Sequence, residues 1–299
     1  MGYDVSLRLS EAAMIEVLPE EEAKKELPPS PSFSCLTLCD NCNGMSCCNC
    51  TQRKVVTRQS NIINVALVGN PNCGKTSLFN MASGAHEHVG NYSGVTVDAK
   101  AGFFSFQGYH FRIIDLPGTY SLSAYSPEEI YVRKHIIEET PDLIINVVDA
   151  SNLERNLYLT TQLIDMNVKM VMALNMYDVL ERTGSKLDID QLEKIIGFPC
   201  VPTIAKTGEG ITHVLDHIVN IHEEKETLLK HIHINYGTSI EKEIEKIKPL
   251  IASHNEIAVD YPFRYIILKL LEGDKHTEEF VKKFEKTVDI YRELYESAN

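Results

Sequence analysis

The residues best equipped for chemistry are Gly69-Asn70-Pro71-Asn72-Cys73-Gly74-Lys75-Thr76. This is the pattern G-x-x-x-x-G-K-[ST], a phosphate-binding loop when a strand precedes it and a helix follows. Both flanks are present: the apolar run Ile62-Ile63-Asn64-Val65-Ala66-Leu67-Val68 before it, and Ser77-Leu78-Phe79-Asn80-Met81-Ala82 after it. Glycines let backbone N–H groups turn inward around phosphate oxygens, and a helix N-terminus adds partial positive charge. Lys75 would reach β- and γ-phosphates, and the Thr76 hydroxyl would hold Mg²⁺.

Three further segments fit a nucleotide site selective for guanine. Asp115-Leu116-Pro117-Gly118 follows the strand-like run Tyr109 to Ile114. Asp115 would hold Mg²⁺ through water, and the Gly118 N–H would sense the γ-phosphate. Asn175-Met176-Tyr177-Asp178 closes the apolar run Val168 to Leu174. The Asp178 carboxylate can accept from N1–H and the 2-amino group of guanine. Adenine has no donor at those positions, so it would leave a carboxylate unpaired. Asn175 would brace the loop and the base. Met176 stands where lysine is common and covers an apolar base face without charge. Thr203-Ile204-Ala205 follows Cys200-Val201-Pro202, and there the Ala205 N–H would meet the guanine oxygen.

Between the first two motifs lies Val89-Gly90-Asn91-Tyr92-Ser93-Gly94-Val95-Thr96-Val97, polar, glycine-rich and without strand or helix period. A loop that orders around γ-phosphate has this character. Thr96 is the switch threonine of this reading, giving a hydroxyl to Mg²⁺ and an N–H to the γ-phosphate.

These runs, continued by Asp115-Leu116-Pro117-Gly118-Thr119-Tyr120-Ser121-Leu122 and Ser126-Pro127-Glu128-Glu129, resemble the ferrous-iron transport protein B family, FeoB. The resemblance covers residues 61 to 299. It implies a GTP-binding and GTP-hydrolysing module on the cytoplasmic face of the bacterial inner membrane, controlling Fe²⁺ uptake through an attached permease domain. It also implies a K⁺ site at Asn72 with the carbonyls of Gly90 and Tyr92. The catalytic set it implies is Lys75, Thr96, Gly118 and Asn72. Thr119 occupies the place where many Ras-like GTPases carry a glutamine, so intrinsic hydrolysis should be slow.

The elements that must position these residues read as an α/β domain. Strands alternate with helical segments from 61 to 228, which predicts a P-loop GTPase domain with a mostly parallel sheet. Ligands in such folds sit beyond the carboxyl ends of the strands, where the motifs fall. Ser126, Pro127 and Glu129 form a helix start, with Ser126 as N-cap and Glu129 closing a capping box. From 229 to 299 the apolar spacing becomes helical, over Ile240 to Ile251, Phe263 to Leu271 and Glu278 to Tyr295, with Pro262 and Gly273-Asp274 as punctuation. A small all-helical domain is expected. In the family this position holds a domain that favours the GDP-bound state and leads to the membrane.

Residues 1 to 60 form a leader. Tyr3 to Leu9 alternates like a strand and Met14 to Val17 suits another; the piece resembles the tail of a fused ferrous-iron transport protein A, a small β-barrel partner. Glu20 to Pro31 reads as linker. Six of the eight cysteines follow: Cys35, Cys39, Cys42, Cys47, Cys48 and Cys50. In a reducing compartment such a cluster suits a soft metal or redox sensing, or it is a thiol-rich tether. Cys73 is expected to act through its backbone, with a thiol open to alkylation. Cys200 reads as core.

Charge narrows the function classes. The 299 residues carry 29 Lys+Arg against 42 Asp+Glu, a formal charge of −13. That balance opposes nucleic acid or anionic lipid as the main partner, and with it a potassium-activated GTPase of ribosomes or tRNA. A scaffold built on the cysteines alone would leave Lys75, Thr76, Asp115 and Asp178 unexplained. No apolar run approaches the roughly 20 residues of a membrane span, so this piece is expected to be soluble; the resemblance implies that it is the soluble part of a longer protein.

Overall fold

A computed structural model describes residues 15–16, 61–84, 88–90, 99–123, 126–227, 229, 232, 234–252 and 262–282. The expected strand Tyr3 to Leu9, the linker, the cysteine cluster from Cys35 to Cys50, the stretch 91–98 and the residues after 282 lie outside them.

The described strands are β1 (Ile15–Glu16), β2 (Ile62–Gly69), β3 (His88–Gly90), β4 (Ala99–Phe106), β5 (Tyr109–Asp115), β6 (Leu143–Asp149), β7 (Met170–Asn175) and β8 (Cys200–Pro202). They form one sheet in the order β1-β4-β5-β2-β6-β7-β8, with β3 also on β4. The pairs β5–β2, β2–β6, β6–β7 and β7–β8 are parallel, whereas β4 pairs antiparallel with β5, β1 and β3. Gln107 and Gly108, at φ 50° and 81°, make the two-residue turn between β4 and β5. Positive φ at both positions matches the right-handed twist of the flanking strands.

The central strands are apolar on both faces because helices cover both. One layer holds α1 (Lys75–Ser83) and α6 (Ile211–His222). There Leu78, Phe79, Val214 and Ile218 meet Ile63, Val65 and Leu67. The other holds α2 (Pro127–Lys134), α3 (Leu153–Asp165) and α5 (Ile189–Ile196). There Val132, Leu159, Leu163 and Ile196 pack with Ala66 and Val68. Alternate residues of β2 therefore feed opposite cores. A short helix α4 (Tyr177–Arg182) follows β7. The predicted start of α2 is present in full. Ser126 Oγ accepts from the Glu129 N–H at 3.2 Å, and Glu129 Oε2 accepts from the Ser126 N–H at 3.3 Å.

The later segment is helical, as its periodicity implied: α7 (Thr238–Ala252), α8 (Phe263–Leu271) and α9 (Lys275–Lys282). Pro262 caps α8, and Gly273 turns at φ 73° before α9. The helix α8 is no free appendage. Tyr265, 2% exposed, joins the core beneath α2 and α3. Arg264 reaches Asp165 of α3 at 3.5 Å and Glu241 of α7 at 2.8 Å.

One expectation needs correction. Val89 and Gly90, read as part of a loop without period, belong to β3 and pair with Lys100 and Ala99. The local sequence has no strand pattern; the open edge of β4 supplies the hydrogen-bonding partner. At the other end of that edge, Ile15 and Glu16 pair with Phe106 and Ser105.

His135 opens the π-helical turn His135–Glu139 after α2 and is 5% exposed. Burial, helped by the Arg112 charge, pulls its pKa from 6.5 down to about 4. The unfolded chain therefore takes up this proton before the folded one does. The stability tied to neutral His135 is complete above about pH 6.5 and is lost as pH falls towards 4, at most roughly 3 kcal/mol. Thermal melts at pH 7, 6, 5 and 4 should show this loss, and His135→Phe should make the pH slope shallower.

Candidate functional site

Parallel strands end on the same side, so Gly69, Asp115, Asn175 and Pro202 terminate β2, β5, β7 and β8 at one edge of the sheet. The loops that follow converge there. The first leaves β2 with Asn72 at φ 64° and Gly74 at φ 87°. A Cβ on Gly74 would lie 2.1 Å from Asn175 Nδ2, and one on Gly69 would lie 2.3 Å from the Val147 carbonyl oxygen. Gly69 is required by the close approach of β6 backbone, and Gly74 by the Asn175 side chain and its own positive φ. Helix α1 starts at Lys75, with the Leu78 N–H donating to the Gly74 carbonyl at 3.0 Å.

Asp115 is the electrostatic centre. Thr76 Oγ1 donates to its Oδ2 at 2.8 Å, and Lys75 Nζ stands 3.6 Å from its Oδ1. Lys75 is 8% exposed and Asp115 7%. Asp115 Oδ1 is buried without a hydrogen-bond donor. A carboxylate oxygen with spare capacity beside a hydroxyl is a hard-oxygen donor set, which fits Mg²⁺ held by Thr76 and, through water, by Asp115. Thr96, the third expected contributor, lies outside the described residues, as do Gly94, Val95, Val97 and Tyr92. Among the described residues no group of three or more His, Cys, Asp and Glu side chains is placed to hold a metal ion.

The loop after Asp115 lies against the phosphate loop. The Thr119 N–H donates to the Gly69 carbonyl at 3.1 Å. A Cβ on Gly118 would come within 2.8 Å of Pro71 Cα. Thr119, in the position read as lacking a glutamine, is 3% exposed and turns inward; its Oγ1 donates to the Ser121 carbonyl at 2.6 Å. The Leu122 N–H donates to Gln162 of α3, and Tyr265 of α8 donates to the Leu122 carbonyl at 3.4 Å.

Asn175 ties the base end together. Its Nδ2 donates to the Cys73 carbonyl at 2.8 Å, and its Oδ1 accepts from the Ala205 N–H at 2.8 Å. The Ala205 N–H, read from sequence as the partner of a guanine oxygen, is thus engaged by Asn175 here. Thr203 is fully buried; its N–H donates to Leu174 and its carbonyl accepts from Tyr177. Ile204 bridges to Glu209. Met176 has φ 57° and precedes α4. Asp178, in the first turn of α4, pairs with Arg182. Sequence reasoning overlooked Arg182, although an acid four residues before an arginine on a helix is a legible pair. It also passed over Arg155, Tyr120 and Gln162, whose partners are distant in the chain.

Comparison with known proteins places this geometry. The profile of the family described as ferrous iron transport protein B matches residues 63–218, and that of the FeoB cytosolic helical domain matches residues 236–299. The chain belongs to the ferrous iron transport protein B family. A Porphyromonas gingivalis Fe(2+) transport protein A/Fe(2+) transporter FeoB fusion protein is 47% identical over 292 residues, 94% of this chain and 35% of that protein. The Escherichia coli O157:H7 Fe(2+) transporter FeoB is 36% identical over 234 residues, 76% of this chain and 29% of that one. The chain thus spans about a third of the length of these relatives. Among solved structures, the cytosolic domain of the Thermotoga maritima FeoB iron transporter in a GDP form superposes with TM-score 0.69 at 36% identity, covering 78% of this chain and 93% of that one. Its GMPPNP form gives 0.68 at 35%, covering 78% and 92%. FeoB membership accounts for both the parallel sheet with its loops and the helical segment behind them. Among the described residues no helix is long and apolar enough to cross a membrane.

Cys73 takes part through its backbone carbonyl, as expected, but its thiol is not open to alkylation as the sequence suggested. The side chain is 1% exposed, and burial, partly offset by the Lys75 charge, pushes its thiol up to about 11. The thiolate needed for alkylation is scarce at neutral pH. At pH 8 roughly one part in a thousand is ionised, against about a quarter for a free thiol near 8.5. Iodoacetamide labelling of the native protein, read by peptide mass spectrometry, should leave Cys73 at least about 100-fold slower than a free thiol. Labelling at the free-thiol rate would mean that the loop opens readily.

Proposed function

We propose that this chain is the GTP-binding and GTP-hydrolysing switch of a bacterial Fe²⁺ membrane transporter, on the cytoplasmic face of the inner membrane. The permease domain of the same protein and the small β-barrel protein A are its partners. The observation that carries the reading is the Asp115 carboxylate set between Thr76 at 2.8 Å and Lys75 at 3.6 Å, with one buried oxygen undonated. A nucleotide phosphate and its cation are what such a centre serves.

In this reading the phosphate loop from Gly69 to Ser77 cradles the phosphates with backbone N–H groups. Lys75 exchanges part of its attraction to Asp115 for the β- and γ-oxygens. Mg²⁺ would neutralise phosphate charge, held by Thr76, Thr96 and, through water, Asp115. Asp178 releases Arg182 to accept from guanine. Met176 covers the base, and Thr203 to Ala205 closes its edge. Water attacks the γ-phosphorus as the bond to the β–γ bridging oxygen breaks, giving GDP and phosphate. Thr119 has its hydroxyl committed to the Ser121 carbonyl, so orientation of that water falls to backbone at Thr96 and Gly118. Turnover is therefore slow. A K⁺ ion at Asn72, Gly90 and Tyr92 would supply charge that a glutamine or arginine provides elsewhere.

The helical segment acts on the switch. Tyr265 bonds the Leu122 carbonyl, and Arg133 of α2 pairs with Asp274 at 2.9 Å, both ends largely buried. These contacts hold the loop after Gly118 in one arrangement, which favours the GDP-bound state.

Hydrolysis of GTP and ATP by the purified chain, in K⁺ and in Na⁺, tests the reading. GTP should be turned over slowly and selectively, faster in K⁺, with Asn72→Ala losing the K⁺ response. Asp178→Ala should weaken GTP binding roughly 100-fold and erase the preference over ATP, since two bonds to a charged acceptor are lost. Equal rates in K⁺ and Na⁺ would remove the potassium site from the mechanism. Turnover without guanine preference would overturn the role of Asp178. For the helical segment, Asp274→Asn should speed release of a fluorescent GDP about 3- to 10-fold in stopped flow; an unchanged rate would leave that segment without control of the nucleotide.

A further inference from the structure

The first turn of α3 touches both loops at the phosphate end of the site. The Arg155 carbonyl accepts from Nδ2 of Asn70, a phosphate-loop residue 3% exposed, at 3.5 Å. The Arg155 guanidinium lies over the Tyr120 ring, 4.2 Å from its centroid. Tyr120 stands apart in its loop: Leu116, Thr119, Ser121 and Leu122 are buried, whereas Tyr120 is 41% exposed. Its neighbours are gripped from beneath, Thr119 by the Gly69 carbonyl and Leu122 by Gln162. The outward-facing ring is gripped from above, by Arg155. Arginine suits this task because its planar cation stacks on an aromatic face while staying partly hydrated.

We propose that Arg155 is a positioning residue for GTP hydrolysis. Stacked on Tyr120, with its backbone against Asn70, it holds the Gly118–Thr119 turn at a fixed distance from the phosphate loop. The Gly118 N–H is then presented where a γ-phosphate would lie. The inference rests on the GTPase reading above and adds a residue that meets neither nucleotide nor metal. GDP lacks the γ-phosphate, so the stack matters for GTP and for turnover and hardly at all for GDP.

The test compares wild type with Arg155→Ala, Tyr120→Ala, Tyr120→Phe and the double alanine variant. Melting temperature checks each fold, while fluorescent GDP and GMPPNP give affinities and steady-state kinetics give kcat and KM. Arg155→Ala should lower kcat and GMPPNP affinity by about two- to fivefold, the reach of an exposed cation–π contact, with GDP affinity within twofold. Tyr120→Ala should match it, Tyr120→Phe should behave as wild type, and the double variant should lose no more than either single one. The proposal is overturned if Arg155→Ala leaves kcat and GMPPNP affinity unchanged, weakens GDP equally, or adds fully to Tyr120→Ala. Should wild type show no guanine-selective turnover, the GTPase reading has failed, and the ratio of GMPPNP to GDP affinity in the same variants decides the positioning role by itself.

Discussion

One buried amide holds the convergence of loops together. Asn175 lies at the end of β7, 3% exposed, donating to Cys73 in the phosphate loop and accepting from Ala205 in the loop after β8. The strands carry those loops to the same edge, but backbone hydrogen bonding in the sheet stops at the strand ends. Beyond that point single backbone bonds, such as Thr119 N–H to Gly69 and Tyr177 N–H to Thr203, join loop to loop. An amide side chain has both a donor and an acceptor, so it can bind two loops at once. The arrangement is intolerant: loss of either bond leaves a buried polar group unmatched, at about 1–3 kcal/mol. It also explains Gly74, since any Cβ there would strike the donating nitrogen at 2.1 Å. Phosphate loop and base loop are thus tied through one side chain.

The loop from Asp115 to Leu122 is built on different physics. Its first residue is a buried carboxylate engaged by Thr76 and Lys75, an attraction that depends on charge and on low local dielectric. Its middle is fixed by backbone contact with Gly69 and Pro71. Its far end is shared between Gln162 of α3 and Tyr265 of α8. A phosphate would draw Lys75 away from Asp115, a cation at Asp115 would displace it, and either changes the load on every later contact. The base end is tied by a neutral buried amide, and its charged pair, Asp178 with Arg182, is exposed. A neutral amide tie at one end and a charge-held loop at the other is the division of labour the proposed switch requires.

Much of this was legible because the chemistry is local in sequence. The pattern around Lys75 carries its strand, turn and helix within a few residues, and the Ser126–Glu129 box satisfies its own backbone donors. The apolar period of Phe263 to Leu271 matched α8 residue for residue. What escaped the reading depends on partners far along the chain. Val89 and Gly90 are strand only because β4 offers an edge. The Ala205 N–H turns to Asn175, 30 residues away in sequence. The Cys73 thiol reads as open to alkylation from its place in the motif, whereas the fold buries it. The pairing of Arg155 with Tyr120 carries no signature, since a cation over a ring is defined by approach in space.

The inward turn of Thr119 links the site to the helical segment. A side chain that points into the core cannot orient water, so in the proposed mechanism the backbone of this loop must do that work. Backbone groups are placed only as well as their loop is placed. Every contact that holds the loop then becomes a determinant of rate, including contacts far from the phosphates. Tyr265 and the Arg133–Asp274 pair lie on the far side of Leu122 and α2. In an enzyme with a dedicated glutamine, such remote contacts would tune affinity more than chemistry. In the proposed mechanism they bear on the hydrolytic step, because the helical segment holds at Leu122 the same loop whose Gly118 N–H would meet a γ-phosphate.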